Sequence, residues 1–166
     1  MVTDVTGEWH QEERLERELG QYREEEATCN GCAGYPKYDQ VTGLLSFNRF
    51  REEVDSVIAS GKGKSCLLVY TDLENFKYFN RKYGYAAGDQ LLREFTGYII
   101  DTLKKRNTAH FTRVVADQFI LFFEEKWNNG SIEAIKRINN GFIERQQRKY
   151  PEAKLRLRTG CLLYTS

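Results

Sequence analysis

The chain contains one uninterrupted apolar segment of strand length, CLLVYT, from Cys66 to Thr71. A continuous apolar run, unlike an alternating one, is typical of a strand that is buried on both faces. Such a strand needs other strands beside it and a layer of helices or strands over each face of its sheet. The segment therefore predicts a central strand in a layered domain.

The surrounding sequence supplies the remaining elements of such a domain. In chain order we predict a helix with Phe47, Phe50, Val54, Val57 and Ile58 on one face, the strand 66–71, helices 75–83 and 90–105, strands 111–115 and 118–123, a helix 131–149, and a last strand from Leu155. The order α-β-α-α-β-β-α-β predicts an α/β fold with a mixed central sheet flanked by helices.

A different kind of segment precedes this domain. Residues 1–38 begin with a short strand-like stretch, followed by the charged run EWHQEERLERELGQYREEE and a linker that contains Gly, Pro and Asn. Leu15, Leu19 and Tyr22 form a narrow apolar seam that is typical of a short coiled coil, which is compatible with a homodimer. We therefore divide the chain into a helical lead, 1–38, and a main domain, 39–166.

Composition excludes several classes of protein. Of the 166 residues 40% are hydrophobic, the net charge is +1, and no apolar run approaches the roughly 18 residues of a membrane span. We expect a cytoplasmic segment without direct membrane contact, although its parent protein could be anchored elsewhere. The nine basic residues of 126–158 are spaced along a helix and a strand without interleaved aromatic residues, so nucleic-acid binding is not expected. Cys29 and Cys32 are more consistent with a solvated turn than with a metal site.

Two carboxylates, Asp72 and Asp117, are candidates for metal binding. Asp72 follows the central strand directly, and Glu74 lies two residues further on. Magnesium prefers one or two carboxylates together with phosphate oxygens, but a helix N-cap or a solvated loop acid would have the same spacing. Asp117, between the two later strands, would meet the same ion if its strand lies beside the central one.

Three further polar residues are candidates for nucleotide recognition. Lys77 and Asn80 lie three residues apart on one face of a short helix, where a lysine can bind phosphate and an amide can pair with a base edge. Asp89 follows Gly84-Tyr-Ala-Ala-Gly88 and would serve either as the N-cap of the next helix or as an acceptor for guanine.

The segments Asp39-x-Val-Thr-Gly-Leu44, Asp72 to Phe95 and Arg113 to Phe119 together resemble the GGDEF (diguanylate cyclase) family in order and spacing. The resemblance implies a nucleotidyl-cyclase-like palm fold and a site for GTP with Mg²⁺. It implies metal binding by Asp72, the Leu73 carbonyl and Asp117, catalysis by Asp117 and Asp72, and substrate binding by Phe76, Lys77, Asn80 and Asp89. The lead similarly resembles the exit of a PAS sensor domain into its signalling helix.

The chain departs from the family at the signature itself, which reads VADQF instead of GGDEF. Val115 and Ala116 replace the two glycines, and we expect valine at a position with φ > 0 to be sterically costly. Gln118 removes a carboxylate. The inhibitory RxxD motif would fall on Arg106-Asn-Thr-Ala109, so its aspartate is missing, and we expect the family's last helix to lie beyond Ser166.

The resemblance and the departures from it together imply a degenerate GGDEF domain in a bacterial cyclic-di-GMP signalling protein, a GTP-binding regulatory module with impaired cyclase activity. Its expected partners are GTP, a PAS domain, and an EAL phosphodiesterase domain. The alternatives are a residually active cyclase that joins two GTP into cyclic di-GMP, and a dimerisation domain without a ligand.

Overall fold

The computed structural model describes residues 2–4, 36–61, 65–104, 109–124 and 129–165. The predicted leading helix, Cys29 and Cys32 lie outside the described residues, as does Arg106 of the expected RxxD position. Within the described ranges, no helix is long and apolar enough to cross a membrane.

The described elements form one sheet with helices on its two faces. They are β1 (Val2–Asp4), α1 (Phe47–Ala59), β2 (Ser65–Glu74), α2 (Phe76–Tyr83), α3 (Tyr85–Leu103), β3 (Ala109–Val115), β4 (Gln118–Phe123), α4 (Asn129–Lys149) and β5 (Arg156–Thr165). The strand order is β1-β5-β2-β4-β3. The short strand at the start of the expected lead, Val2–Asp4, therefore pairs with β5 in the sheet of the main domain and does not stand apart from it. The predicted α/β fold with a helix-flanked sheet is confirmed.

The pairing within this sheet corrects the expectation of a mixed sheet. All four pairings between its described strands are antiparallel, and a parallel pairing occurs only as an isolated bridge between Leu45 and Thr112. The connection through α2 and α3 makes β3 run in the direction of β2, but β4 lies between these two strands and runs against both. Strand direction therefore alternates across the whole sheet.

The apolar run of β2 fills two separate cores, one on each face of the sheet. Leu67, Val69 and Leu73 belong to the larger core, which includes Phe95 of α3 and Phe142 of α4. The smaller core contains Cys66 and Tyr70, on the alternate face of the strand, with Phe47 and Phe50 of α1. Successive side chains of a strand point to opposite faces, so a strand covered on both sides must be apolar throughout. This confirms the central position predicted for the strand.

Two element boundaries differ from the sequence expectation in ways that affect the site. Strand β2 continues to Glu74, so Asp72 lies inside a paired strand and does not follow its end; the N-cap and loop alternatives for Asp72 are excluded. Helix α3 begins at Tyr85 and is preceded by Gly84 at φ 91°, so Asp89 lies one turn inside the helix and is not its N-cap. Pairing with β4 and β5 extends β2 beyond its apolar residues. This extension depends on tertiary contacts, so it could not be predicted from the periodicity of the local sequence.

Candidate functional site

The end of β2 opens into a solvent-accessible cleft of about 540 Å³. It is lined by two stretches of chain that meet there, 72–78 from β2 into α2 and the hairpin turn after β3, together with one residue of β5. The lining residues are Asp72, Leu73, Glu74, Asn75, Phe76, Lys77, Tyr78, Asp117 and Arg158. The structure thus brings five of the predicted site residues into one cavity: Asp72, Leu73, Phe76, Lys77 and Asp117.

The hairpin between β3 and β4 holds Asp117 beside β2. Val115 pairs with Gln118, which leaves Ala116 and Asp117 as a two-residue turn. Gln118 pairs in turn with Asp72 across the β2–β4 ladder, and the Leu73 N–H donates to the Asp117 carbonyl at 3.3 Å. Because β2 and β4 are neighbours, the condition under which Asp72 and Asp117 would share a metal ion is met.

The donor set of this cleft fits a hard divalent cation. Two carboxylates, one of them on a residue only 7% exposed, lie with the Leu73 backbone at the edge of an open cavity. Magnesium takes oxygen ligands and keeps several water molecules, so it needs few protein donors and an accessible site. The described residues contain no cluster of three or more His, Cys, Asp or Glu side chains that would form an all-protein metal cage. Two carboxylates at an accessible cavity suit an ion that binds together with an anionic ligand.

Helix α2 places its polar residues by burying its aromatic ones. Phe76 is 9% exposed and Phe79 is fully buried, and both occupy the inner face of this amphipathic helix. Lys77 is consequently exposed at the cleft, within reach of an anion bound there. Lysine at this position supplies a mobile point charge.

Asn80 and Asp89 lie outside this cleft, where α2 and α3 pack together. The Oδ1 atom of Asn80 is buried without a hydrogen-bond partner in the described structure. Gly88 makes this packing possible, because a Cβ atom added there would stand 1.7 Å from Asn80 Oδ1. Asp89 is the next residue and is partly exposed. A buried amide oxygen without a partner is costly, and a ligand that supplies a donor would remove that cost.

Arg113 connects the hairpin turn to the start of the domain. Its Nε donates to the Ala116 carbonyl at 2.6 Å, and its Nη1 lies 3.3 Å from Asp39. Asp39 also accepts from the backbone N–H and the hydroxyl of Thr42, at 2.8 and 2.6 Å. Partial burial raises the pKa of Asp39, but the hydrogen bonds from Thr42 and the charge of Arg113 outweigh it and lower the pKa below the ordinary 3.8. The turn that begins the domain and the signature hairpin thus share one charged anchor.

The strained position in the hairpin is Ala116 and not Val115. Ala116 has φ +49°, whereas Val115 has no positive φ and ends β3 with a side chain that is 46% exposed. The prediction that Val115 would adopt a positive φ at a steric cost is therefore wrong. A register shift between Arg113 and Val115 absorbs one residue before the turn, which leaves the left-handed conformation to the residue that follows. Positive φ costs an alanine about 1 kcal/mol relative to glycine.

We expect Ala116→Gly to stabilise the domain by at most about 1 kcal/mol, because glycine removes the left-handed strain but also gives the unfolded chain more freedom. Lys154, an exposed residue at φ +49° outside the lining of the cleft, provides the matched substitution Lys154→Gly. Both free energies of unfolding are measured by denaturant titration. A strong destabilisation by Ala116→Gly alone would contradict the strain at this turn.

Two features of the site were not predicted from the sequence. Arg158 of β5 lies in the cleft beside the predicted metal residues, and Arg113 has the anchoring contacts described above. The alternation of Leu155 and Leu157 with Arg156 and Arg158 indicated a strand with one charged face. It did not indicate which strand the arginines would lie beside, since strand register is set by the assembled sheet.

The sequence profile described as "Diguanylate cyclase, GGDEF domain" matches residues 36–165 of this chain. Among curated proteins, the diguanylate cyclase DgcS of Shewanella oneidensis is 32% identical over 89 residues, covering 52% of this chain and 29% of the relative. The cyclic di-GMP phosphodiesterase PdeR of Escherichia coli is 28% identical over 123 residues, covering 74% of this chain and 18% of the relative. The chain spans less than a third of the length of either protein.

Solved structures show the same fold. The GGDEF domain of FimX from Pseudomonas aeruginosa superposes with a TM-score of 0.63 at 19% sequence identity, covering 79% of this chain and 82% of that domain. The GGDEF domain of DgcB from Caulobacter crescentus, solved in complex with c-di-GMP, superposes with a TM-score of 0.62 at 19% identity, covering 80% and 79%. The predicted palm-type fold is confirmed by both likenesses.

Proposed function

The chain belongs to the GGDEF family of diguanylate cyclase domains, and from this membership we propose that it is a GTP-binding regulatory module with impaired cyclase activity. Its setting is a cyclic-di-GMP signalling protein. The observation that carries the proposal is the meeting of Asp72, Leu73, Phe76, Lys77 and Asp117 in one open cleft at the end of the central strand.

The proposed site has a phosphate end and a base end. Asp72, Asp117 and the Leu73 carbonyl would hold Mg²⁺, which neutralises phosphate charge when bound. Lys77 lies at the same cleft and would contact the phosphates with its ammonium group, and Phe76, the first residue of α2, would do so with its backbone N–H. At the α2–α3 junction, Asn80 offers a buried acceptor without a partner, and Asp89 supplies a carboxylate that can accept two hydrogen bonds from guanine.

The hairpin supports impaired turnover more than impaired binding. Its substitutions place an exposed valine at the end of β3, a strained alanine in the turn, and an uncharged glutamine opposite Asp72. The carboxylates of Asp72 and Asp117 remain. Loss of interactions that are made only in the transition state lowers turnover without weakening ground-state binding, so binding and catalysis would separate. Because Asp72 and Asp117 are both retained, weak cyclase activity is the second candidate function.

The regulatory role concerns the protein of which this domain forms a part. One relative is named as a phosphodiesterase, and this chain covers 18% of its length. That relation supports a position beside a domain of the opposite activity, such as an EAL domain. A neighbouring PAS sensor domain that passes into the leading helix, and a homodimer formed through that helix, complete the proposal. Signals would reach the hairpin through the Asp39–Arg113 anchor.

Changing Asp89 to alanine is expected to reduce the preference for GTP over ATP by about tenfold, because a group that hydrogen-bonds the base contributes on the order of 1–3 kcal/mol. The two affinities are measured by calorimetry with saturating magnesium. Asp101→Ala removes a carboxylate from an exposed position of the same helix and should leave the preference unchanged. Equal binding of GTP and ATP by the unmodified protein would count against base recognition at this position.

A further inference from the structure

Arg158 lies directly beside the proposed metal site. In the ladder between β2 and β5 it is the partner of Asp72, and it lines the cleft with Asp72 and Asp117. Residues that face each other in an antiparallel pair project to the same side of the sheet, with Cβ atoms roughly 5 Å apart. A guanidinium group is therefore built into the cavity next to the carboxylates.

Glu74 holds the guanidinium at the mouth of the cleft. The Nε atom of Arg158 donates to Glu74 Oε1 at 2.9 Å, and Nη2 contacts the same oxygen. Arg158 is 42% exposed and Glu74 is 30% exposed at the side chain, and ion pairs between side chains this accessible to water are weak. A polyanion can therefore compete with Glu74 for the guanidinium.

The charges that line the cleft indicate what Arg158 contributes to anion binding. Asp72, Glu74 and Asp117 outnumber Lys77 and Arg158, so the cavity has one negative charge in excess before any ion binds. Without Arg158 that excess would double and would oppose the approach of a triphosphate. Arginine also matches phosphate oxygens with two parallel N–H donors, which a lysine does not provide.

A second cavity continues the positive charge along β5. It has a volume of about 330 Å³, shares Glu74 and Arg158 with the cleft, and adds Arg156 and Lys136 to its lining. Arg156 pairs with Glu74 in the ladder. The Glu74–Arg158 pair thus stands between an acidic cavity and a basic one.

We propose that the Arg158 guanidinium leaves Glu74 and binds the polyphosphate tail of the nucleotide. Because this positive charge belongs to the protein, anion binding by this chain would be partly independent of magnesium. The inference rests on the proposed nucleotide site and assigns a specific phosphate-binding residue to it. Glu74 acts as the competitor that keeps the guanidinium at the cleft when no anion is bound.

The test uses inorganic tripolyphosphate as the probe, titrated calorimetrically into the protein in the presence of EDTA. The unmodified chain is expected to bind it, Arg158→Gln to weaken binding about tenfold, and Glu74→Gln to strengthen it several-fold. Arg156→Gln, the same charge change two residues away in the same strand, is the control and should retain most of the affinity. Circular dichroism checks that each variant is folded.

No binding by the unmodified chain, unchanged affinity in Arg158→Gln, or an equal loss in Arg156→Gln would each overturn the inference. Mn²⁺ titration of the nucleotide-free protein gives a second readout: Arg158→Gln should bind the ion several-fold more tightly, since one repelling charge is gone. Tripolyphosphate has no base, so these results decide the role of Arg158 whether or not the protein prefers GTP to ATP. If the protein did not prefer GTP to ATP, the proposed GTP-binding function would be contradicted instead.

Discussion

Changing Asp72 to asparagine is expected to weaken magnesium-dependent GTP binding about 100-fold, a loss of about 2.7 kcal/mol. The substitution preserves shape, so the nearly buried position in β2 should remain packed. It removes one of the two carboxylates proposed to hold the ion, and an amide is a much poorer ligand for magnesium. Calorimetric titration with GTP, with magnesium and with EDTA, measures the effect.

The matched control for this prediction is Asp55→Asn. Asp55 lies on α1 and is exposed, and the substitution makes the same change in net charge outside the lining of the cleft. We expect GTP affinity in Asp55→Asn to equal that of the unmodified protein. If Asp72→Asn retained full magnesium-dependent affinity, the metal site would have to lie elsewhere in the protein.

Changing Gly88 to alanine is expected to abolish selective GTP binding. It should also destabilise the domain by up to about 2 kcal/mol, because an overpacking cost of about 1–3 kcal/mol is partly offset by the roughly 1 kcal/mol that alanine gains over glycine inside a helix. The new Cβ would lie 1.7 Å from Asn80 Oδ1 and 2.9 Å from Asn80 Cγ. The Asn80 side chain must leave its present position, which removes one of the two groups proposed to read the base. GTP and ATP affinities and the free energy of unfolding are measured on the same preparation.

Gly97 offers the matched control in the same helix. A Cβ atom there would meet nothing within 4 Å, so Gly97→Ala should stabilise α3 by up to about 1 kcal/mol through helix propensity. GTP binding should not change. Similar stability changes in the two variants would contradict the close contact between Asn80 and Gly88.

The central strand and the order of the elements were predictable because they depend on local composition and periodicity. An uninterrupted apolar run marks burial on both faces, and the cores on both sides of β2 confirm it. Alternating leucines and arginines likewise located β5. These patterns involve residues that are close together in the sequence, so they can be recognised without knowing how the strands of the sheet are arranged.

Strand pairing and register were not predictable in the same way. The antiparallel sheet, the extension of β2 to Glu74 and the position of Arg158 opposite Asp72 all depend on contacts between residues far apart in sequence. The turn shows the same limit: the sequence located the substituted hairpin, but a register shift in β3 moved the strained conformation from Val115 to Ala116. Asp72 and Asp117, which the sequence expectation brought together only if their strands were neighbours, do line one cleft, since β4 lies beside β2.

The most direct test of a nucleotide-binding domain with impaired turnover is a calorimetric titration of the protein with GTP at saturating magnesium, with the cell contents then analysed by chromatography. We expect saturable binding of one GTP per chain, much weaker binding of ATP, and little or no cyclic di-GMP in the calorimeter cell. Vigorous synthesis of cyclic di-GMP would contradict the disabling role of the hairpin, and the absence of any GTP binding would contradict the nucleotide site itself.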